Sequence, residues 1–137
     1  MIAGPHSFVL DSEALSALAS DDPTMLVWAL VARRTDSALY ASAVTLAEVA
    51  DGTARDANVR RAAKALRVQP VTTEIGYAAG RLRFGAARSR RKPRDLTVDA
   101  VVAATALAVP GPAVVLTSDG ADLRLLLEGT AVRVEAI

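Results

Sequence analysis

Short apolar runs alternate with longer helical segments along almost the whole chain. The runs at Ser7–Leu10 and 113–116 have the length of buried strands, and the segments between such runs show the apolar spacing of helices. Strands that alternate with helices form a parallel sheet with helices on both faces. The sequence therefore predicts an α/β fold, a three-layer α/β/α sandwich with a mostly parallel sheet of four to five strands.

The apolar pattern also predicts where each element lies. We expect strands at Ser7–Leu10, 37–41, 68–71, 113–116 and 131–135. We expect helices at Ser12–Ala19, 21–34, 43–50, 55–67, Thr73–Ala87, Thr97–Ala108 and 119–128. The helix at Thr97–Ala108 is apolar on nearly all sides, which indicates burial on both faces. No repeat or linker interrupts the pattern, so we expect one domain over residues 1–137.

Composition excludes several kinds of site. The chain has no cysteine, which excludes disulfides, zinc–thiolate centres and thiol catalysis. Its single histidine, His6, lies in the N-terminal tail, which argues against a Ser-His-Asp triad. No apolar stretch approaches the ~20 residues of a membrane span, and residues 1–10 lack the basic start of a signal peptide. We therefore expect a cytoplasmic protein.

Four acidic residues stand where a parallel sheet would gather them. Asp11 and Asp119 follow predicted apolar strands. Glu48 and Asp99 lie inside predicted helices that are rich in Ala, Val and Leu. Ligands of open α/β sheets bind outside the carboxyl ends of the strands. Carboxylates that converge there without a base among them suit a hard cation. The pattern therefore points to metal-dependent chemistry on a phosphate ester.

Each acid except Asp99 also has a simpler structural interpretation. Asp11 can be a helix N-cap. Glu48 can close a capping box with Thr45 if the helix begins at Thr45. Asp119 can be an N-cap with Asp122 as its partner, although Asp122 can equally be a fifth member of the site.

Asp99 is the hardest acid to explain by local structure. On a helix it shares a face with the small residues Ala103 and Ala106. A buried carboxylate costs several kcal/mol unless a partner compensates it, and the helix dipole would return only ~0.3–1 kcal/mol. We therefore expect Asp99 to have a functional partner.

Four motifs in this order resemble the PIN domain family, specifically the stand-alone VapC-type toxins of bacterial toxin–antitoxin pairs. The motifs are Phe-Val-Leu-Asp-Ser at 8–12, Ser-Ala-Val-Thr-Leu-Ala-Glu-Val at 42–49, Val-Asp-Ala-Val-Val-Ala-Ala-Thr-Ala at 98–106 and Leu-Thr-Ser-Asp-Gly-Ala-Asp-Leu at 116–123. The resemblance covers essentially the whole chain. The family's carboxylate positions match Asp11, Glu48, Asp99 and Asp119, with Asp122 as the auxiliary acid.

The resemblance implies a Mg²⁺- or Mn²⁺-dependent endoribonuclease that cuts tRNA or ribosomal RNA. It also implies a homodimer and a cognate VapB-like antitoxin that covers the site. On this basis Asp11, Asp99 and Asp119 would hold one or two metal ions. Glu48 would either bind a metal or orient a water. Thr117 or Ser118 would bond a metal ligand or a phosphate oxygen, or only satisfy local backbone.

The sequence leaves several questions open. Glu13 stands where the family commonly has a small polar residue, so it either adds charge to the site or points away. The basic run at 88–94 would track RNA phosphates or be a solvated loop. The apolar stripes of the first two helices include Leu26, Trp28 and Leu30, and a second copy or an antitoxin would cover any surplus, with Trp28 as the main candidate.

Two other functions remain as alternatives. A phosphoacceptor receiver domain also gathers acids at strand ends, but it needs a lysine after a late strand. Neither Lys64 nor Lys92 follows an apolar strand. The second alternative is a PIN-like module that binds RNA or protein without cutting.

Overall fold

A parallel sheet forms the centre of the molecule, as the alternating pattern predicts. The structure is a computed structural model that describes residues 4–88 and 95–137. Within those residues the sheet has five strands in the order β3-β2-β1-β4-β5, and all neighbouring strands are parallel. The strands are β1 (Ser7–Leu10), β2 (Ala38–Ser42), β3 (Arg67–Gln69), β4 (Ala113–Thr117) and β5 (Arg133–Ala136).

Helices cover both faces of this sheet. They are α1 (Ser12–Ala19), α2 (Pro23–Arg34), α3 (Ala43–Val49), α4 (Asp56–Ala63), α5 (Thr73–Ala87), α6 (Thr97–Ala108) and α7 (Ala121–Leu126). The predicted bounds of α1, α5 and α6 match the structure at both ends. In the described part of the chain, no helix has the length and apolarity that crossing a membrane requires.

Alternate residues of the central strands point to two separate cores. Val9 and Val115 pack on one side with residues of α5, α6 and α7. Phe8 and Leu10 pack on the other side with residues of α1, α2 and α4. All seven residues from Ala100 to Ala106 of α6 are buried, which confirms the prediction from its apolar sequence. The architecture is therefore the predicted three-layer sandwich.

Several predicted helices are longer than the observed ones, and the difference is largest for those predicted at 55–67 and 119–128. The predicted helix at 55–67 ends at Ala63, because Arg67 already pairs with Tyr40 in the sheet. The predicted helix at 119–128 begins only at Ala121, because the chain makes a tight turn after β4. In both places the demands of strand pairing and turn formation override helical periodicity.

The helix α2 presents a partly exposed apolar surface. The Trp28 ring packs edge-on against Phe8 with 5.7 Å between ring centroids, so it is partly buried in the core. Leu26 and Leu30 are each 44% exposed and Val27 is 59% exposed. The surplus apolar surface predicted for the first two helices is therefore present, but these three aliphatic residues expose more of it than Trp28.

The strand order places a topological switch point between β1 and β4. From β1 the chain continues to β2 and β3 on one side, and β4 is followed by β5 on the other. In open α/β sheets the crevice at the carboxyl ends of such a strand pair is the preferred ligand site. Asp11 directly follows β1, and the Thr117–Asp119 turn closes β4, so both lie at this crevice.

Candidate active site

Asp11 is held at the junction of β1 and α1 by several hydrogen bonds. Its backbone N–H donates to the Leu116 carbonyl at 3.2 Å, which continues the pairing of β1 with β4. Its Oδ1 accepts from the Ala14 N–H at 2.9 Å, and the carboxylate also accepts from the Glu13 N–H and the Thr117 hydroxyl. The N-cap interpretation of Asp11 is therefore confirmed. A cap role and a ligand role are compatible, because a carboxylate has about four acceptor positions.

Thr117 and Asp119 form the tight turn at the end of β4. The buried Thr117 Oγ1 accepts from the Asp119 N–H at 3.1 Å and lies 3.1 Å from the Asp119 carbonyl oxygen. Its single proton has two possible acceptors, this carbonyl and the Asp11 carboxylate. The N-cap position of α7 is Gly120, without a side-chain cap, so the interpretation of Asp119 as N-cap is wrong. The turn leaves the Asp119 side chain exposed beside Asp11.

Glu48 reaches the same edge from α3. This helix begins at Ala43, with the Ser42 hydroxyl accepting from the Val44 N–H at 3.2 Å as its cap. Glu48 therefore lies one turn too late for a capping box, and that interpretation is wrong. Its carboxylate instead hydrogen-bonds the side chain of Ser12 in the first turn of α1.

The pKa shifts of these carboxylates include contributions from their mutual electrostatic repulsion. Burial raises the pKa of Asp11, its hydrogen bonds to Thr117 and to backbone N–H groups lower it, and the Asp119 charge raises it further. Burial raises the pKa of Glu48, with a smaller contribution from Asp11. The Glu13 side chain is exposed, but slight desolvation raises its pKa, and the charges of Asp11, Asp119 and Glu48 add to this effect. The charge of Glu13 therefore adds to that of the site.

Asp99 and Asp122 lie in the first turns of α6 and α7. Both are half-buried, and each makes at least one polar or electrostatic contact. The helix α6 packs on β1, β2 and β4 and ends just before β4 begins. Its other end, which carries Asp99, therefore points to the carboxyl edge of the sheet. There α6 packs against α3, the helix of Glu48.

Comparison with known protein families agrees with this geometry. A family model described as PIN domain matches residues 8–124. The chain belongs to the PIN domain family. A search of curated proteins gave no match.

Three solved structures share the fold of this PIN domain. VapBC2 from Rickettsia felis bound to a promoter DNA fragment matches with a TM-score of 0.71 at 11% identity, over 96% of this chain and 98% of that one. VapBC-1 from nontypeable Haemophilus influenzae matches with a TM-score of 0.70 at 16% identity, over 95% of this chain and 97% of that one. DNA-bound VapBC from Salmonella typhimurium matches with a TM-score of 0.64 at 16% identity, over 96% of this chain and 98% of that one.

The donor chemistry of this PIN domain fits a hard divalent cation. We call Asp11, Glu13, Glu48 and Asp119, with the neighbouring Ser12 and Thr117 hydroxyls, the acidic edge. Its side chains offer carboxylate and hydroxyl oxygens, the ligands that Mg²⁺ and Mn²⁺ prefer. Among residues 4–88 and 95–137, no three acidic or histidine side chains already form a metal-binding group. The set still fits Mg²⁺, because this ion usually keeps several waters and takes only one or two carboxylates from the protein.

The structure also adds Ser12, which motifs alone did not assign, because it bonds Glu48. For Thr117, which the sequence analysis considered, the hydroxyl contacts both Asp11 and the Asp119 backbone. Thr45 lies three residues before Glu48, is fully buried, and its hydroxyl has no partner among the residues described. Ser12 and Thr45 both lie inside the motifs at 8–12 and 42–49, so motif membership was the available signal.

The imidazole and the described lysine are placed away from the acidic edge, whereas the Arg124 guanidinium lies against Gly120, next to Asp119. His6 precedes β1 and therefore lies at the opposite end of that strand from Asp11. Lys64 is the exposed C-cap of α4, and Lys92 lies outside the described residues. The PIN domain thus lacks, among described residues, a lysine at the strand ends that a phosphoacceptor receiver requires.

Proposed function

We propose that this PIN domain is a metal-dependent endoribonuclease that acts as the toxin of a VapBC-type pair and cleaves tRNA or ribosomal RNA in the cytoplasm. One observation carries the proposal. Asp11 and Asp119 flank the switch point between β1 and β4, and the charges of Asp11, Glu13, Glu48 and Asp119 act on one another there. An acidic cluster at that position suits a cation that binds a phosphodiester.

The shared fold supports the choice of biological role. All three solved structures described above are VapBC complexes. We therefore propose a VapB-like antitoxin as partner and a homodimer as the assembly. The exposed Leu26, Val27 and Leu30 of α2 offer apolar surface for one of these contacts.

In the proposed reaction Asp11, Asp99 and Asp119 hold one or two Mg²⁺ or Mn²⁺ ions, with Asp122 as an auxiliary ligand. Such an ion supplies charge compensation at the scissile phosphate and lowers the pKa of a water. The cap bond from Ala14 and the Thr117 hydroxyl fix the orientation of the Asp11 carboxylate.

Glu48 is the proposed proton acceptor for the attacking water, or a further metal ligand. A general base works best when its pKa lies near the working pH. The pKa of Glu48 is raised by burial and by Asp11, which moves it in this direction. The Ser12 hydroxyl holds its carboxylate at the edge of the sheet. No side-chain nucleophile is needed, consistent with the absence of cysteine.

Sequencing of RNA ends after induced expression tests this function most directly. Wild type should produce new cleavage sites in tRNA or ribosomal RNA, and Asp99→Asn should produce none while remaining folded. The purified wild type should cut the same RNA with Mg²⁺ or Mn²⁺ and stop when EDTA is added. Normal cleavage by folded Asp99→Asn would refute the assignment.

The alternative is a catalytically inert PIN-like module that binds RNA or protein. It predicts binding without new RNA ends, and identical behaviour of wild type and Asp99→Asn. The acidic edge favours the nuclease, because a module that only binds RNA gains nothing from four carboxylates that repel phosphate.

A further inference from the structure

One exposed face of α5 combines aromatic and arginine side chains. Tyr77, Arg81, Phe84 and Arg88 follow the helical spacing i, i+4, i+7 and i+11, which places them on a single face. All four are exposed. The Arg88 guanidinium lies over the Phe84 ring, 5.8 Å from its centroid, within the range of a cation–π contact. We call these four residues the aromatic–arginine face.

The aromatic exposure on this face is unusual for the protein. Tyr77 is 70% exposed and Phe84 is 69% exposed, the highest values among the large hydrophobic side chains of the described residues. The chain has only five aromatic residues of the Phe, Trp and Tyr types. Two of them thus lie in solvent on one helix, where they contribute little to the core. The placement suggests a ligand with flat apolar groups.

The aromatic–arginine face ends close to the acidic edge. The helices α5 and α6 pack against each other, and Arg83 Nη1 donates to Thr97 Oγ1 at 3.4 Å. Thr97 is the first residue of α6, two residues before Asp99. Phe84 and Arg88 are therefore at the end of α5 nearest the proposed site, and Arg81 and Tyr77 continue away from it along the helix.

We propose that the aromatic–arginine face binds the single-stranded RNA that flanks the cleaved phosphate. This inference rests on the proposed nuclease function. The acidic edge repels the phosphates of its own substrate, so binding energy must come from neighbouring surface. Arginine forks suit phosphates, and exposed aromatic rings stack on unpaired bases. Purely apolar surface would suit a second copy or an antitoxin, but two arginines between and beside the rings favour a polyanion.

Fluorescence anisotropy with a labelled single-stranded oligouridine tests the assignment. The measurements use Asp99→Asn protein in EDTA, so that the RNA stays intact. Phe84→Ala should weaken binding by about tenfold, the effect expected for the loss of one stacked base. Phe84→Trp should retain the affinity. Leu107→Ala, which shortens an exposed apolar side chain at the end of α6 far from Asp99, is the matched control and should change nothing.

The salt dependence of RNA affinity distinguishes the contribution of the arginines from that of the aromatic rings. Arg81→Gln should reduce the slope of log affinity against log salt by about 0.7, the value for one phosphate contact to a single strand. Phe84→Ala should leave that slope unchanged. Arg34→Gln on α2 is the matched charge control. The same oligouridine annealed to its complement should bind independently of Phe84, because paired bases are not available for stacking.

Two results would overturn the assignment. The first is unchanged single-strand affinity in both Phe84→Ala and Arg81→Gln. The second is a loss of affinity that coincides with a lower molar mass in light scattering, since the face would then join two copies of the chain. Cleavage of total RNA by the wild type is scored separately. If cleavage is absent but the Phe84 and Arg81 effects persist, the nuclease function fails and the RNA-binding face stands.

Discussion

The side-chain hydroxyl of Thr117 is hydrogen-bonded to the carboxylate of Asp11 across the two central strands of the sheet. The pairing of Leu10 with Leu116 brings the next residues of both strands side by side. The same hydroxyl accepts from the Asp119 N–H at 3.1 Å. One buried oxygen thus ties together the ends of β1 and β4, and with them two of the proposed metal ligands.

Replacing Thr117 tests this link. Thr117→Val removes a hydrogen bond that lowers the pKa of Asp11, so that pKa should rise further above its ordinary value. Asp11 would then be protonated up to a higher pH, and the acidic limb of the cleavage profile should move to higher pH. Unfolding free energy should fall by ~0.5–1.5 kcal/mol, because the Asp119 N–H loses its hydrogen-bond partner. Thr117→Ser is the control, and a profile that does not move in Thr117→Val contradicts the link.

Two substitutions of Asp11 separate its structural role from its chemical role. Asp11→Asn keeps a side-chain oxygen for the Ala14 N–H but removes the charge. It should be at least as stable as wild type, because the raised pKa of Asp11 means that its charge destabilises the fold at neutral pH, and it should lose cleavage. Asp11→Ala removes the cap as well and should lower unfolding free energy by about 1 kcal/mol. Chemical denaturation and RNA cleavage give the two readouts. An active Asp11→Asn protein would show that Asp11 is only a helix cap.

Neutralising Glu13 should stabilise the protein in EDTA at neutral pH. The pKa of Glu13 is raised in the folded protein, so its ionised form destabilises folding. This cost is absent below the ordinary glutamate pKa of 4.5, grows as pH rises from there towards the folded pKa, and is fully present above the folded pKa. The melting temperature of the Glu13→Gln protein should therefore exceed that of wild type at pH 7, and the difference between the two should vanish at pH 4.

Glu74→Gln is the matched control for that comparison. Glu13 and Glu74 both lie in the first turn of a helix, where the helix dipole favours a negative charge. Glu74 does not contribute to the raised pKa values at the acidic edge, so its neutralisation should lower stability slightly or leave it unchanged. Equal effects of the two substitutions would show that the acids at the edge do not repel Glu13.

The buried hydroxyl of Thr45 offers a further test of the site. It has no hydrogen-bond partner among the described residues, whereas the equally buried Thr105 hydroxyl donates to the Val101 carbonyl at 2.8 Å. A buried unsatisfied polar group costs ~1–3 kcal/mol. Thr45→Val should therefore raise unfolding free energy, and Thr105→Val should not. If Thr45→Val gives no gain, its hydroxyl is satisfied in solution.

Sequence pattern predicted most of the fold because each element follows a simple local rule. The helix α6 combines small apolar residues with a proline-rich exit, and both of its ends were predicted correctly. The end of α4 was not, since Arg67 leaves the helical pattern only to pair with Tyr40 in the sheet. Such pairing depends on residues far away in the chain, and helical periodicity carries no information about it.

The site was predictable as a set of residue types but not as a network. Strand ends and motifs identified Asp11 and Asp119 as neighbours. The role of Glu13 required knowledge of the first turn of α1, which brings its charge near Asp11, Asp119 and Glu48. The prediction of a capping box with Glu48 was wrong because Ser42, not Thr45, caps α3. Competing caps one or three residues apart have similar sequence signatures, so only the fold decides between them.

The pairing of β1 with β4 has a consequence for synthesis of the protein. Asp11 emerges early from the ribosome, but its partner strand Ala113–Thr117 is translated about a hundred residues later. Until then the acidic edge lacks Asp119 and the strand that positions it, so a nascent chain cannot assemble the complete edge. The complete set of acids can therefore form only after translation has passed residue 119, and chains that stop before Ala113 lack both Asp119 and the strand that leads to it.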